Sequence, residues 1–362
     1  MTAQLAHIIA RANIKRLSLI GLSKNVGKTT TSNYLLKTLV AERLYRAEEL
    51  ALTSLGLDGE AIDALTGLPK PRYIPQEGLL VATTVDLLRE GEARGVEAEQ
   101  LLQLPGRTAL GPVVIARVQH AGQLAIAGPV QLREVRFALE QFSAYGARLS
   151  IIDGAINRLG AAAPTVTDAC VLCTGTSAGA TPELVARRTA DVLARLTIPL
   201  SRWSNAYRNS FPAARLLAFS PSDTASAEIC QLDSTEPSAE AAWIAEKMSQ
   251  QPEVVFLLRG AFTEELARAL LSQLTATPTA CSAELVVGDG TKVFCHSAVL
   301  QRLAARELTV RVAETVRVLA LTINPYTPEY ICTSRQLLET LVKALPADHP
   351  VIIDVVSGIT SL

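Results

Sequence analysis

Residues 16–36 read RLSLIGLSKNVGKTTTSNYLL, and this stretch decides the fold. An apolar run ends at Gly21 and a helix-like run follows, so a buried strand must turn sharply into a helix. Such a turn lets consecutive backbone N–H groups and the helix N-terminus converge on an anion. Gly27 permits a close approach, Lys28 can reach the terminal phosphates and Thr29 can offer its hydroxyl to Mg²⁺. The stretch therefore predicts a phosphate-binding loop.

The spacing of the two glycines in this loop is a departure from the usual motif. Gly21 and Gly27 enclose five residues, whereas the Walker A motif encloses four. The expected ligands are ATP and Mg²⁺. We expect the nucleotide to contact Gly21, Ser23, Lys24, Asn25, Val26, Gly27, Lys28, Thr29 and Thr30.

A magnesium–nucleotide site also needs carboxylates at the ends of strands beside the loop. Asp153 closes the apolar stretch LSIID, as a Walker B aspartate does, and Asp58 lies just past the second strand-like run. Glu60 is a weaker candidate. We predict that Thr29, Asp58 and Asp153 bind the metal. The predicted catalytic residues are Lys28, Asp58 and Asp153.

The length of 362 residues favours two domains. The first 200 residues alternate strand-like and helix-like runs, which predicts an α/β fold with a mainly parallel sheet. Residues 85–104 read as helix, and residues 112–129 read as two strands that turn at Ala121-Gly122. We predict a P-loop nucleotide-binding domain over 1–212, a linker or hairpin region over 213–242 and a smaller C-terminal α/β domain over 243–362.

The composition excludes several classes of protein. The net charge is −1 and no Lys/Arg-rich run is present, so a nucleic-acid partner is not expected. No apolar stretch reaches the ~18 residues of a membrane-spanning helix. The first basic residues follow the N-terminal apolar stretch rather than precede it, unlike a secretory signal, so we expect a cytoplasmic protein.

The six cysteines are scattered rather than dense, so we expect free thiols. Cys170 and Cys173 lie in an apolar, strand-like run, where residues three apart point to opposite faces. We therefore interpret them as core residues rather than as half of a zinc site. The four histidines show no ligand or triad spacing.

Several phrases together resemble one family, the reactivating factor of adenosylcobalamin-dependent lysine 5,6-aminomutase. They are GLSKNVGKTT (21–30), LTSLGLDGEAIDALTGLPKPR (52–72), the strand pair around IARV (115–118) and AIAGP (125–129), SIIDGAINRLGAAAPTVTDACVLCTG (150–175), VVGDGTKVF (286–294) and LTINPYTPE (321–329). The resemblance implies a chaperone-like ATPase that releases damaged cobalamin from the inactivated mutase, working with a second reactivase subunit. The resemblance is compatible with a homo- or hetero-oligomer. On this resemblance, Lys70, Asn157 and Arg158 are expected to line the nucleotide cleft or a switch loop.

The five-residue loop interior also resembles that of dethiobiotin synthetase and its relatives, which belong to the P-loop class of MinD/ParA, nitrogenase iron protein and cobyrinate amidases. An ATP-dependent ligase acting on a small carboxylate is therefore an alternative, although the second domain shows no glutaminase residues. A MinD-like regulatory switch is disfavoured, because Ser23 occupies the position of the signature lysine and Lys24 is one place too late. The C-terminus also shows no basic amphipathic helix.

Overall fold

The computed structural model describes residues 3–56, 72–154, 159–209, 215–230, 236–276, 281–326 and 332–361, which form a mixed α/β protein. The helices are α1 (Gln4–Arg11), α2 (Lys28–Ala41), α3 (Val85–Glu92), α4 (Leu132–Ala144), α5 (Pro182–Leu196), α6 (Ser204–Asn209), α7 (Pro237–Gln250), α8 (Glu264–Ala276), α9 (Ser297–Ala304) and α10 (Ser334–Ala344). The strands are β1 (Arg16–Gly21), β2 (Leu50–Ser54), β3 (Leu80–Thr84), β4 (Glu97–Gln103), β5 (Val113–His120), β6 (Leu149–Asp153), β7 (Ala169–Gly175), β8 (Leu216–Ser220), β9 (Asp223–Ile229), β10 (Glu253–Leu258), β11 (Ser282–Asp289), β12 (Leu308–Glu314), β13 (Val318–Asn324) and β14 (Val351–Ile353). None of the helices in these ranges is long and apolar enough to cross a membrane.

The larger of two compact units comprises Met1–Ala190 and Arg317–Leu362. Its sheet has nine strands in the order β14-β13-β7-β1-β6-β2-β3-β5-β4. Neighbouring strands from β14 to β3 pair in parallel, whereas β5 is antiparallel to both β3 and β4. The predicted mainly parallel α/β sheet is therefore confirmed.

The strands inside this sheet are buried on both faces, which is why they read as nearly continuous apolar runs. All five residues of β6 and all seven residues of β7 are buried. Strand β1 lies between them, with Leu19 level with Asp153 of β6 and Gly21 level with Cys173 of β7. Because the carboxyl ends of parallel strands meet at one edge, residues that follow these three strands lie close together.

The prediction of a single helix over residues 85–104 is wrong in its second half. Helix α3 ends at Glu92, and the chain turns through Gly95, whose φ is +87°. Strand β4 follows and pairs with β5 at the edge of the sheet. Its residues are mostly exposed, so its polar sequence reflects a solvated edge strand and not a helix surface.

The predicted hairpin at Ala121-Gly122 is also wrong. Strand β5 ends at His120, and its antiparallel partners are β3 and β4 rather than the residues that follow it. The segment after the turn contributes an isolated bridge between Leu124 and Tyr73. The pairing of β5 with β3 and β4 thus outweighs the local turn signal at Ala121-Gly122.

The second compact unit, Asp191–Val316, has a five-stranded sheet in the order β12-β11-β10-β8-β9. Strands β10, β11 and β12 are parallel, and β8 and β9 add an antiparallel edge. One apolar cluster joins α7, α8 and α9 to the sheet through residues such as Ile244, Leu270, Leu303 and Phe256. A smaller cluster, which includes Trp203, covers the other face of this sheet and contains side chains of β8 and β10.

The structure divides the chain elsewhere than at the predicted boundaries. Strand β13 pairs in parallel with β7, and β14 pairs with β13, so the last segment completes the first sheet. The second unit is consequently an insertion between Ala190 and Arg317. The predicted linker over 213–242 contains β8, β9 and the start of α7. Apolar runs alone do not indicate which sheet a strand joins.

Candidate functional site

The connection between β1 and α2 is a tight loop over residues 22–27. Asn25 (φ +58°) and Gly27 (φ +85°) both have left-handed backbone conformations. Gly27 is the N-cap of α2, and the amide of Thr31 donates to its carbonyl at 2.8 Å. The first N–H groups of an α-helix have no partner within the helix, so this N-terminus offers donors and partial positive charge to an anion.

Gly21 is the point where the loop folds back over the end of β1. A Cβ at this position would lie 2.8 Å from Val26 Cγ2 and 3.1 Å from Lys28 Cδ. Any larger residue would therefore push away the side chains of Val26 in the loop and Lys28 at the start of α2. Lys28 is only 6% exposed, so its stem is packed against the loop rather than extended into solvent.

The outer side of the loop is fixed to the turn that follows β7. Ser177 Oγ donates to the carbonyl of Lys24 at 2.6 Å and lies 2.9 Å from Ser23 Oγ. The amide of Leu22 donates to the carbonyl of Cys173 in β7 at 3.1 Å. The loop is therefore held by the neighbouring strand as well as by its own residues.

A second clamp comes from the end of β13. The side-chain amide of Asn324 donates to the carbonyl of Asn25 at 2.6 Å, and its Oδ1 accepts from the amide of Tyr326 at 3.3 Å. A Cβ on Gly27 would lie 3.3 Å from Asn324 Cβ. Asn324 was not singled out from the sequence, although an amide side chain directly after the apolar run VLALTI was a usable signal.

Asp153 is fully buried at the carboxyl end of β6. Its Oδ2 accepts a hydrogen bond from Thr29 Oγ1 at 3.4 Å, and the hydroxyl of Tyr73 donates to the same oxygen. Thr29 and Asp153, two of the predicted metal ligands, thus meet across the β1–β6 pair. Tyr73 was not anticipated, because nothing in its local sequence distinguishes it from a core tyrosine.

The thiol of Cys173 lies beneath the same loop. Burial raises its pKa to about 11; a hydrogen bond with Thr322 and the ammonium of Lys28 oppose that rise, and the carboxylate of Asp153 adds to it. Burial likewise raises the pKa of Cys170. Both residues belong to a fully buried strand, as predicted.

The predicted loop residues, from Gly21 to Thr30, occupy one continuous turn and the first residues of α2. Thr29 is in contact with Asp153, and Lys28 precedes Thr29 as the first residue of α2. The other predicted site residues, Asp58, Glu60, Lys70, Asn157 and Arg158, lie outside the residues that the structure describes.

A separate groove of about 460 Å³ lies between α5 and α10 in the larger unit. It is lined by Glu183, Ala186, Arg187, Ala190, Thr340, Lys343 and Ala344. None of these is a predicted site residue. The groove and the loop are therefore different features of the unit.

Comparisons with known proteins give no further guide to this site. No protein-family model matches the chain, and no curated protein matches its sequence.

Proposed function

We propose that this chain is an ATPase that binds ATP and Mg²⁺ at the loop between β1 and α2, within a domain of the P-loop class. The observation that supports this most strongly is the hydrogen bond between Thr29 and Asp153. It lies next to a loop with two left-handed residues, and Lys28 follows that loop directly. An anion-binding helix N-terminus and a carboxylate–hydroxyl pair at the next strand end are the two halves of a metal–nucleotide site.

The described residues fit the two ligands. Backbone N–H groups at the start of α2 and the ammonium of Lys28 suit the phosphates of a nucleotide. Thr29 and Asp153 offer the hard oxygen ligands that Mg²⁺ prefers, and Asp58 would supply a further carboxylate. When bound, the metal would neutralise charge on the transferring phosphoryl group. Lys28 would stabilise the same charge with its ammonium group.

For the biological role, we propose a cytoplasmic, chaperone-like reactivating factor for a cobalamin-dependent aminomutase. The support is the resemblance carried by residues 21–30, 52–72 and 150–175, together with a second, inserted α/β unit. In this proposal ATP binding closes the switch segments that follow Asp58 and Asp153, and hydrolysis reopens them. That change alters affinity for the mutase and releases its damaged cofactor, with a second reactivase subunit present.

The test is ATP turnover by the purified full-length chain, with and without an inactivated aminomutase. We expect slow hydrolysis that the mutase accelerates, and Lys28→Ala should reduce it about 100-fold or more. Lys37→Ala is a matched control, since Lys37 is an exposed lysine on the same helix. Unchanged ATP affinity and turnover in Lys28→Ala would exclude this site.

The ligase alternative predicts that ATP turnover depends on a small carboxylate and not on the mutase. A ligase of the dethiobiotin synthetase type would form ADP only when a small carboxylate substrate is present. Phosphate release without such a substrate, stimulated by the mutase, supports the reactivating factor. Turnover that requires a carboxylate and ignores the mutase supports the ligase.

A further inference from the structure

Tyr73 reaches the candidate metal site from a distant part of the chain. It is only 3% exposed. Its backbone forms a two-way bridge with Leu124, with both N–O distances 3.0 Å. Its position is thus fixed independently of the contact that its hydroxyl makes.

The residues on either side of Tyr73 are attached to α2. Asn33 Nδ2 donates to the carbonyl of Arg72 at 2.8 Å, and Asn33 Oδ1 accepts from the amide of Ile74 at 3.1 Å. Helix α2 begins at Lys28, directly after the loop. Residues 72–74 therefore keep a fixed relation to the helix that carries Lys28 and Thr29.

Within this frame the Tyr73 hydroxyl donates to Asp153 Oδ2, the oxygen that also accepts from Thr29. A hydrogen bond to a carboxylate is stronger than one between neutral groups. It holds the carboxyl group in one rotation about its Cβ–Cγ bond. Groups that orient a metal ligand in this way commonly change metal affinity when they are removed.

We propose that Tyr73 is a positioning residue that sets the orientation of Asp153 for a divalent cation. The inference rests on the proposed function in so far as Asp153 is taken as a metal ligand. It assigns a role to residues 72–74, which the motif alone does not include.

The experiment measures Mn²⁺ affinity of the full-length chain by electron paramagnetic resonance of the free ion, first with Mn²⁺ alone and then with ADP present. We expect Tyr73→Phe to weaken Mn²⁺ binding about tenfold, while ADP affinity in EDTA stays unchanged. Tyr145→Phe is the control, because the Tyr145 hydroxyl bonds to the carbonyl of Leu101 at 3.4 Å, outside the site.

A double-mutant cycle separates positioning from a general loss of stability. In an Asp153→Asn background, Tyr73→Phe should cause no further loss of Mn²⁺ affinity. Equal Mn²⁺ affinity of the wild type and Tyr73→Phe, or an equal loss in Tyr145→Phe, would overturn the inference.

The two proposals fail in distinguishable ways. If the wild type binds Mn²⁺ but no nucleotide, the ATPase proposal fails and the Tyr73 comparison still decides this inference. If nucleotide and Mn²⁺ bind normally to Tyr73→Phe, only the inference fails. If the wild type binds no Mn²⁺ under either condition, both fail.

Discussion

The side chain of Asn324 and the backbone of Asn25 are joined by a 2.6 Å hydrogen bond, although 299 positions separate them in the sequence. Asn25 has a left-handed backbone, a conformation that asparagine adopts more readily than most residues with a side chain. The bond from Asn324 holds the carbonyl of this residue in place. The end of β13 is therefore part of what keeps the loop in this conformation.

Replacing Asn324 by alanine should weaken nucleotide binding without unfolding the protein. A hydrogen bond of this kind contributes about 0.5–1.5 kcal/mol, so we expect ADP affinity to fall about 3- to 10-fold. Isothermal titration calorimetry measures this directly. Asn205→Ala, at an exposed position on α6, is the control, and equal affinities of the two variants would contradict the clamp.

Replacing Gly27 by alanine should affect both stability and binding. The left-handed backbone costs about 1 kcal/mol of the free energy of unfolding, and the new Cβ would lie 3.3 Å from Asn324 Cβ. Gly95→Ala is a matched control, because its φ of +87° imposes the same backbone cost in open space. In urea unfolding, Gly27→Ala and Gly95→Ala should lose similar amounts of the free energy of unfolding. Only Gly27→Ala should also lose ADP affinity. Normal binding by Gly27→Ala would show that the loop tolerates a side chain there.

The buried thiol of Cys173 should make stability depend on alkaline pH. Its pKa is about 11 in the folded chain against 9.0 for an unperturbed thiol. The contribution of this thiol to the free energy of unfolding is therefore complete below pH 9 and is lost as the pH rises towards 11. Between these values the free energy of unfolding should fall by about 1.4 kcal/mol per pH unit more in the wild type than in Cys173→Ala.

This difference in slope is tested by measuring the free energy of unfolding of the larger unit in urea at pH 7, 8, 9 and 10, in the wild type and in Cys173→Ala. The two proteins should have parallel dependences between pH 7 and 8, where the thiol is protonated in both the folded and the unfolded chain. Parallel slopes up to pH 10 would show that Cys173 ionises as readily in the folded chain as in the unfolded one.

The contiguous part of the site was predictable from the sequence, and the distant part was not. Gly21, Gly27, Lys28 and Thr29 lie within nine positions, so their relation is set by a single turn from strand to helix. Asp153 was recognisable because a buried strand ends in a carboxylate. The contacts of Tyr73 and Asn324 depend on strand order and on the bridge to Leu124. No local pattern contains that information.

The errors in the fold have the same origin. Strand β4 is polar because it lies at an edge, and a polar edge strand has the composition of an exposed helix. The apolar runs of β10 and β13 are alike in sequence, yet one joins the small sheet and the other the large one. Local propensity identifies most elements here, whereas their assignment to a sheet depends on packing between distant residues.

The insertion of the second unit sets an order of events during synthesis. Translation proceeds from the N-terminus, and domains generally fold as units while the chain emerges. The second unit is complete once Val316 has emerged, whereas the larger sheet still lacks β13 and β14. A ribosome-bound chain therefore carries the residues of its loop long before it carries the residue that fixes them. The hydrogen bond between Asn324 and the loop can form only after the whole of the second unit has been synthesised.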